Sequence, residues 1–276
     1  MSDADAGAQQ PSEADLSPAD AFAMWAACEP VPLDRAALAM ATHCRADCRA
    51  EPVDVASTLA ELDRLGAAVR EPTPEAVVEL LFGAEGFGPN RARYADPANS
   101  YLDLVVARRL GIPISLAVVT IEVARRAGVE LHGVGMPGHF LVGTPDPQVL
   151  IDAFDGRFID RTGAIAIFNR TGQRHAFHEV FFKPASPQSI LVRMLNNLRT
   201  VHLRQPGAPS QLTVLELLTR LDICPPDEHL YRAQLLAAVG RPDEGARALE
   251  AAADRFEDKH SERFRQVAMR LWAQLN

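Results

Sequence analysis

From Gly111 to Gly128 the chain carries a helix-length run that is apolar on nearly every side, and a turn-punctuated β pattern follows soon after it. Pro113 suits the first helical position, where a missing N–H costs nothing and φ is already set. Leu116, Ala117, Val119, Thr120, Val123 and Ala124 cover most of the helix surface. Arg125 and Arg126 fall in the last turn, where cations suit the dipole, and Gly128 is the C′ stop. A helix this apolar lies inside a domain, so the rest of the fold has to surround it.

The β pattern reads as a hairpin. Residues 137–143 and 148–154 flank Thr144-Pro145-Asp146-Pro147, which is turn chemistry. A loop of two or four residues pairs Gly143 with Gln148, and antiparallel partners keep a constant sum. His139 is then expected directly opposite Asp152, on the same face, with Cβ atoms roughly 5 Å apart. A slip of one residue would send the two to opposite faces. A His beside a carboxylate holds one tautomer and gains basicity, which is the base-plus-orienter half of a triad. The bland alternative is a polar pair on a solvated face, and the neighbours Phe140, Leu141, Leu150, Ile151 and Phe154 argue against it.

Four segments occur in order: Asn99-Ser-Tyr-Leu, Arg108-Arg109-Leu-Gly-Ile-Pro-Ile-Ser-Leu-Ala, Gly135-Met-Pro-Gly-His-Phe-Leu-Val and Leu150-Ile-Asp-Ala-Phe-Asp-Gly. Together they resemble the transglutaminase-like core of bacterial SirB-type proteins, over roughly residues 36–183. The resemblance implies an α+β, papain-like architecture with a central helix packed on a small antiparallel sheet. In catalytic members of the wider superfamily a Cys opens that helix, a His comes from the next strand and an Asp from the strand after. His139 and Asp152 take the latter two places. Counted back from Gly128, the Cys would fall on Pro113, which has no nucleophile, and Ser115 stands two residues further on.

Composition narrows the function classes. The net charge of −8 argues against non-specific nucleic-acid binding. Uninterrupted apolar runs fall short of the ~18 residues a membrane span needs. The N-terminus lacks a basic–apolar signal pattern. Cys28, Cys44, Cys48 and Cys224 have no disulfide-framework spacing, so a cytoplasmic protein with reduced thiols is expected.

Taken in order, residues 1–16 read as a disordered tail. Four helices follow, over about residues 17–28, 34–49, 54–69 and from Pro74, forming an N-terminal helical subdomain. The glycines of residues 83–90 do not fit a phosphate-binding pattern. Asn99 is expected to cap a helix over residues 101–109, or else to line the cleft. Beyond the hairpin, residues 157–160 and 164–168 read as short strands, and residues 184–187 as a linker. From residue 188 the pattern is helical to the end. Residues 227–256, with small side chains at Ala233, Gly245 and Ala252, resemble one tetratricopeptide repeat.

Other candidates favour structural readings. Cys44 and Cys48 share a helix face, but Cys44 lies on the apolar stripe, so a core thiol is expected over a soft-metal site. His175 and His178 lack the Glu of a metalloprotease pair. Asp155 reads as a turn residue and Asp160 as a strand-end charge. The sequence therefore predicts an α+β fold in three parts: a tail over 1–16, a transglutaminase-like domain over 17–183 and a helical domain over 188–276. The preferred function is a non-catalytic binding or regulatory module for a protein or peptide partner. The alternative is a hydrolase or acyl-transferase in which Ser115 attacks, His139 relays the proton and Asp152 orients His139, with Asn99 and Pro113 lining the cleft. Neither reading implies a metal or cofactor.

Overall fold

The computed structural model describes residues 16–172, 176–202, 209–257 and 259–275. The expected tail lies outside these residues except for Leu16, and so does His175. Four helices come first: α1 (Pro18–Ala26), α2 (Leu33–Asp47), α3 (Val55–Ala68) and α4 (Pro74–Val78). Ser17, Asp54 and Thr73 each accept a backbone N–H from the first turn they precede, and Pro18 and Pro74 take opening positions. α4 runs on into a π-helical turn, Glu79–Ala84.

A short parallel pair, β1 (Gly88–Pro89) and β2 (Leu110–Gly111), ties off the next stretch. It encloses a 3₁₀ turn, Pro97–Asn99, and helix α5 (Leu102–Arg108). The sequence reading placed Asn99 as the cap of this helix; Tyr101 holds that position instead. Asn99 turns back into the loop before it. Its Nδ2 donates to the carbonyls of Arg93 (2.7 Å) and Tyr94 (3.2 Å), while its Oδ1 accepts from Asn90 Nδ2 (2.9 Å) and Arg108 Nη2 (3.2 Å). The Asn99 side chain is fully buried, and these bonds give its polar atoms the partners that burial demands.

Helix α6 (Pro113–Arg126) is the centre of the molecule, with every residue from Pro113 to Ala124 buried. It packs against α2, α3 and α5 on one side and the sheet on the other. Each aliphatic side chain it removes from water contributes about 1.5–3 kcal/mol. Gly128 follows with φ +74°, the left-handed stop expected of it.

The sheet has four antiparallel strands in the order β3 (His132–Val134), β4 (Leu141–Gly143), β5 (Val149–Asp152) and β6 (Arg157–Asp160). The hairpin is present with a different register. Val142 pairs with Ile151 and Gly143 with Leu150, so the loop spans residues 144–149 and the pairing is displaced by two from the expected one. The Thr144 hydroxyl closes this wider loop by donating to the carbonyls of Asp146 and Val149, both at 3.0 Å.

Residues 164–168, expected as a strand, belong to helix α7 (Arg161–Arg170). Asp160 caps it by accepting from the Gly163 N–H at 2.7 Å. Ala164, Ile167 and Phe168 then form a helical stripe packed with Val134, Met136, Leu141 and Leu150 on the sheet face away from α6. The expected linker also differs: Pro184 bridges Val134, and the Ala185 N–H bonds the Gly133 carbonyl at 2.8 Å, so this stretch borders β3.

Five helices complete the described chain: α8 (Pro187–His202), α9 (Gln211–Leu218), α10 (Pro226–Ala238), α11 (Pro242–Ala253) and α12 (Lys259–Ala273). Side chains of α8 and α9 join the same apolar core as α1, α2 and α6. The last three helices enclose a separate cluster around Leu230, Leu249 and Phe264. Among the described residues no helix is long and apolar enough to cross a membrane.

Candidate active-site cleft

His139 lies on the approach to β4 and Asp152 at the end of β5. His139 Nε2 and Asp152 Oδ1 are 2.9 Å apart. The same carboxylate oxygen accepts the Phe154 N–H at 3.2 Å, an Asx-type turn that fixes the carboxylate in place. Asp152 is 2% exposed, whereas His139 keeps 12% and so retains access to solvent. A carboxylate can only accept, so a neutral His139 bonded to it is the Nε2–H tautomer, which leaves the lone pair on Nδ1. Among the described residues no hydrogen bond occupies Nδ1.

The pair forms although the register differs, because a displacement of two conserves the face. His139 and Asp152 meet as diagonal neighbours instead of direct partners. The residue in line with His139 is Phe154, whose ring meets the imidazole edge-on with centroids 6.2 Å apart.

Ser115 lies at the tip of α6 and is completely buried. Its Oγ accepts the Ile112 N–H at 3.1 Å and donates to the Ile112 carbonyl at 3.2 Å. This is the N3-to-N-cap half of a capping box. A Cβ placed on Gly111 would lie 2.7 Å from Ser115 Oγ, so the chain passes tightly over the hydroxyl. The structure thus brings His139 and Asp152 together and holds the Ser115 hydroxyl on backbone. Pro113 is buried as the first residue of α6. Asn99 is buried and bonded to the carbonyls of Arg93 and Tyr94.

Residues 91–97 line a depression of about 640 Å³, and Phe154 lies between Tyr94 of this stretch and His139. The Tyr94 ring is edge-on to Phe154 at 5.9 Å. Arg91 lies over the Phe154 ring at 4.8 Å and pairs with Asp155. Asp155 is therefore an ion-pair residue beside a turn, and Asp160 the α7 cap described above.

Arg193 of α8 was missed by the sequence reading. Its Nη2 donates to the His139 carbonyl at 2.8 Å, and its guanidinium lies over the Phe140 ring at 5.3 Å. The signal available was a lone cation in the run Ile190-Leu191-Val192-Arg193-Met194-Leu195, whose neighbours are mostly buried.

The far end of α6 is ionic. Arg126 reaches Asp34 (2.5 Å), Asp63 (2.6 Å) and Glu122 (2.8 Å), and Arg125 reaches Glu122 (2.9 Å). Burial pushes the Glu122 carboxyl above its ordinary range and nearby Asp34 adds to the shift, while the two guanidinium groups pull it back. These arginines do more than complement a dipole: they tie α6 to α2 and α3. Cys44 is a fully buried thiol, pushed up by burial. Among the described residues no group of three His, Cys, Asp or Glu side chains is arranged to hold a metal ion.

Comparison with known proteins adds a family profile and several relatives. A profile of the transglutaminase-like superfamily matches residues 41–196. A UPF0162 protein of Xylella fastidiosa is 45% identical over 138 residues, covering 46% of this chain and 48% of its own length. A UPF0162 protein of Pseudomonas aeruginosa is 35% identical over 156 residues, covering 53% of this chain and 58% of its own. F-box only protein 21 of Mus musculus is 36% identical over 91 residues, covering 32% of this chain and 14% of its own. The chain thus spans about half the length of the bacterial relatives it matches. No solved structure matches.

Proposed function

The chain belongs to the transglutaminase-like superfamily, and from that premise we propose that it is a non-catalytic binding or regulatory module of the SirB type. Its cleft beside His139 would receive a protein or peptide partner. The observation that carries this reading is the state of Ser115: buried, and bonded in both directions to the backbone of Ile112. A nucleophile needs a hydroxyl free to lose its proton to a base, and this one is engaged in closing the start of α6. Pro113, where the superfamily's thiol would stand, has nothing to attack with. The last three helices would serve as a tetratricopeptide-like packing module, and the unit would work in the cytoplasm.

A second reading has its own support. His139 and Asp152 are bonded at 2.9 Å with Nδ1 uncommitted, which is the arrangement a general base requires. On that reading Ser115, His139 and Asp152 form a hydrolase or acyl-transferase. Fluorophosphonate labelling separates the two, applied to the wild-type chain, Ser115→Ala and His139→Ala. Equal background labelling in all three is expected. Labelling present in the wild type and lost from both variants would install the hydrolase in place of the binding module.

A further inference from the structure

We infer that Arg193 is the anion-recognising element of the cleft beside His139, and that its ligand is a carboxylate carried on a peptide or peptide-like chain. The inference rests on the binding-module reading and adds the chemistry of the occupant. The bond to the His139 carbonyl and the stacking on Phe140 fix the guanidinium in one plane. One of its five N–H donors is thereby used. Among the described residues no carboxylate pairs with Arg193 or with Arg93 of the depression, whereas Arg91, Arg108 and Arg157 each meet one. Burial pulls the Arg193 pKa down from its ordinary value, and the nearby Tyr94 phenol is the group that offsets this.

A half-dry guanidinium with open donors is best completed by a planar, bidentate anion. A carboxylate has that shape and matches a single positive charge. A phosphate dianion calls for a second cation, and Arg93, which lines the depression and meets no carboxylate among the described residues, would be the group to supply it, so phosphate is the competing ligand in the test. The depression of about 640 Å³ along residues 91–97 is larger than an isolated carboxylate needs. Tyr94, half exposed and braced edge-on against buried Phe154, offers ring surface beside it for the chain that bears the anion.

The test uses the full chain, ¹⁵N-labelled, titrated with succinate and separately with neutral succinamide. The signals followed are the backbone amides of Tyr94, His139 and Phe140 and the Arg193 Nε–Hε. Saturable shifts at these positions with succinate, absent with succinamide, are expected. In Arg193→Gln the succinate affinity read at Phe140 should fall about tenfold or more. If that variant does not fold, the succinate–succinamide comparison on the wild-type chain decides alone. Equal responses to the two compounds, or unchanged affinity in Arg193→Gln, would overturn the assignment. So would inorganic phosphate displacing succinate at lower concentration. None of these results alters fluorophosphonate labelling, so failure here is distinguishable from failure of the binding-module reading.

Discussion

Ser115→Ala discriminates between a hydroxyl that clips a helix start and one that attacks a substrate. In the variant the Ile112 carbonyl keeps a partner, because it also accepts the Leu116 N–H at 3.1 Å. The Ile112 N–H does not fare as well. Its residue is 6% exposed, and Ser115 Oγ is the acceptor it uses. A buried donor left without a partner costs about 1–3 kcal/mol. Alanine returns about 0.5 kcal/mol through its better helix propensity. The net expectation is a loss of about 1–2 kcal/mol, within the range measured for helix caps. For a chain of this size that corresponds to a melting temperature lower by about 2–8 °C. Urea unfolding followed by circular dichroism should show a lower midpoint with an unchanged slope, since the folded surface is the same. A variant as stable as the wild type would refute the clip, and loss of probe labelling alongside it would identify Ser115 as the nucleophile.

Arg126→Met removes the main partner of Asp34 and Glu122, each about 2% exposed, and should cost about 3–5 kcal/mol at neutral pH. The folded-state pKa of Glu122 is raised, so its contribution is fully present below the unfolded value and is lost as pH rises through the folded one. Loss of the cation lifts the folded value further, so the stability gap between variant and wild type should narrow from pH 7 toward pH 5; a gap constant with pH would contradict this. Pro113→Cys places a thiol at the first turn of α6, where the helix N-terminus favours the thiolate. The position is buried, so iodoacetamide alkylation there at pH 7 should be slower than at the half-exposed Cys28 and Cys48, and faster alkylation would show that the tip of α6 opens to solvent as a nucleophile position must. Asn99→Ala strips donors from the Arg93 and Tyr94 carbonyls and should raise amide exchange across residues 91–97, while α6 stays protected; unchanged exchange would show that the amide does not anchor that stretch.

The central helix was legible because each of its signals is local and they agree. Pro113, the apolar circumference, the arginines and Gly128 all point to the same bounds, and the structure gives Pro113–Arg126. The meeting of His139 and Asp152 was legible for a different reason. Their faces depend on parity alone, so a two-residue error in loop length left the pair intact. What was hidden depends on contacts distant in sequence. Ala164-Ile-Ala-Ile-Phe168 is too short for periodicity to separate strand from helix, and the cap from Asp160 and the sheet face it covers decide the matter. Asn99 had a good local reason to cap α5, but its side chain is buried among partners from the preceding loop and Arg108. Arg193 is far from His139 in sequence, and only the packing of α8 against the core brings the two together.

Helix α8 has a practical meaning for anyone who wishes to dissect the chain. Ile190, Leu191, Met194 and Leu195 plug the interior behind the sheet, and the same helix grips the backbone of the histidine. A fragment ending before Pro187 would lose stuffing and clamp at one stroke. The smallest piece that retains a shaped cleft must therefore extend through α9, well past the last strand, and a shorter fragment's silence in a binding assay would report collapse and say nothing of affinity.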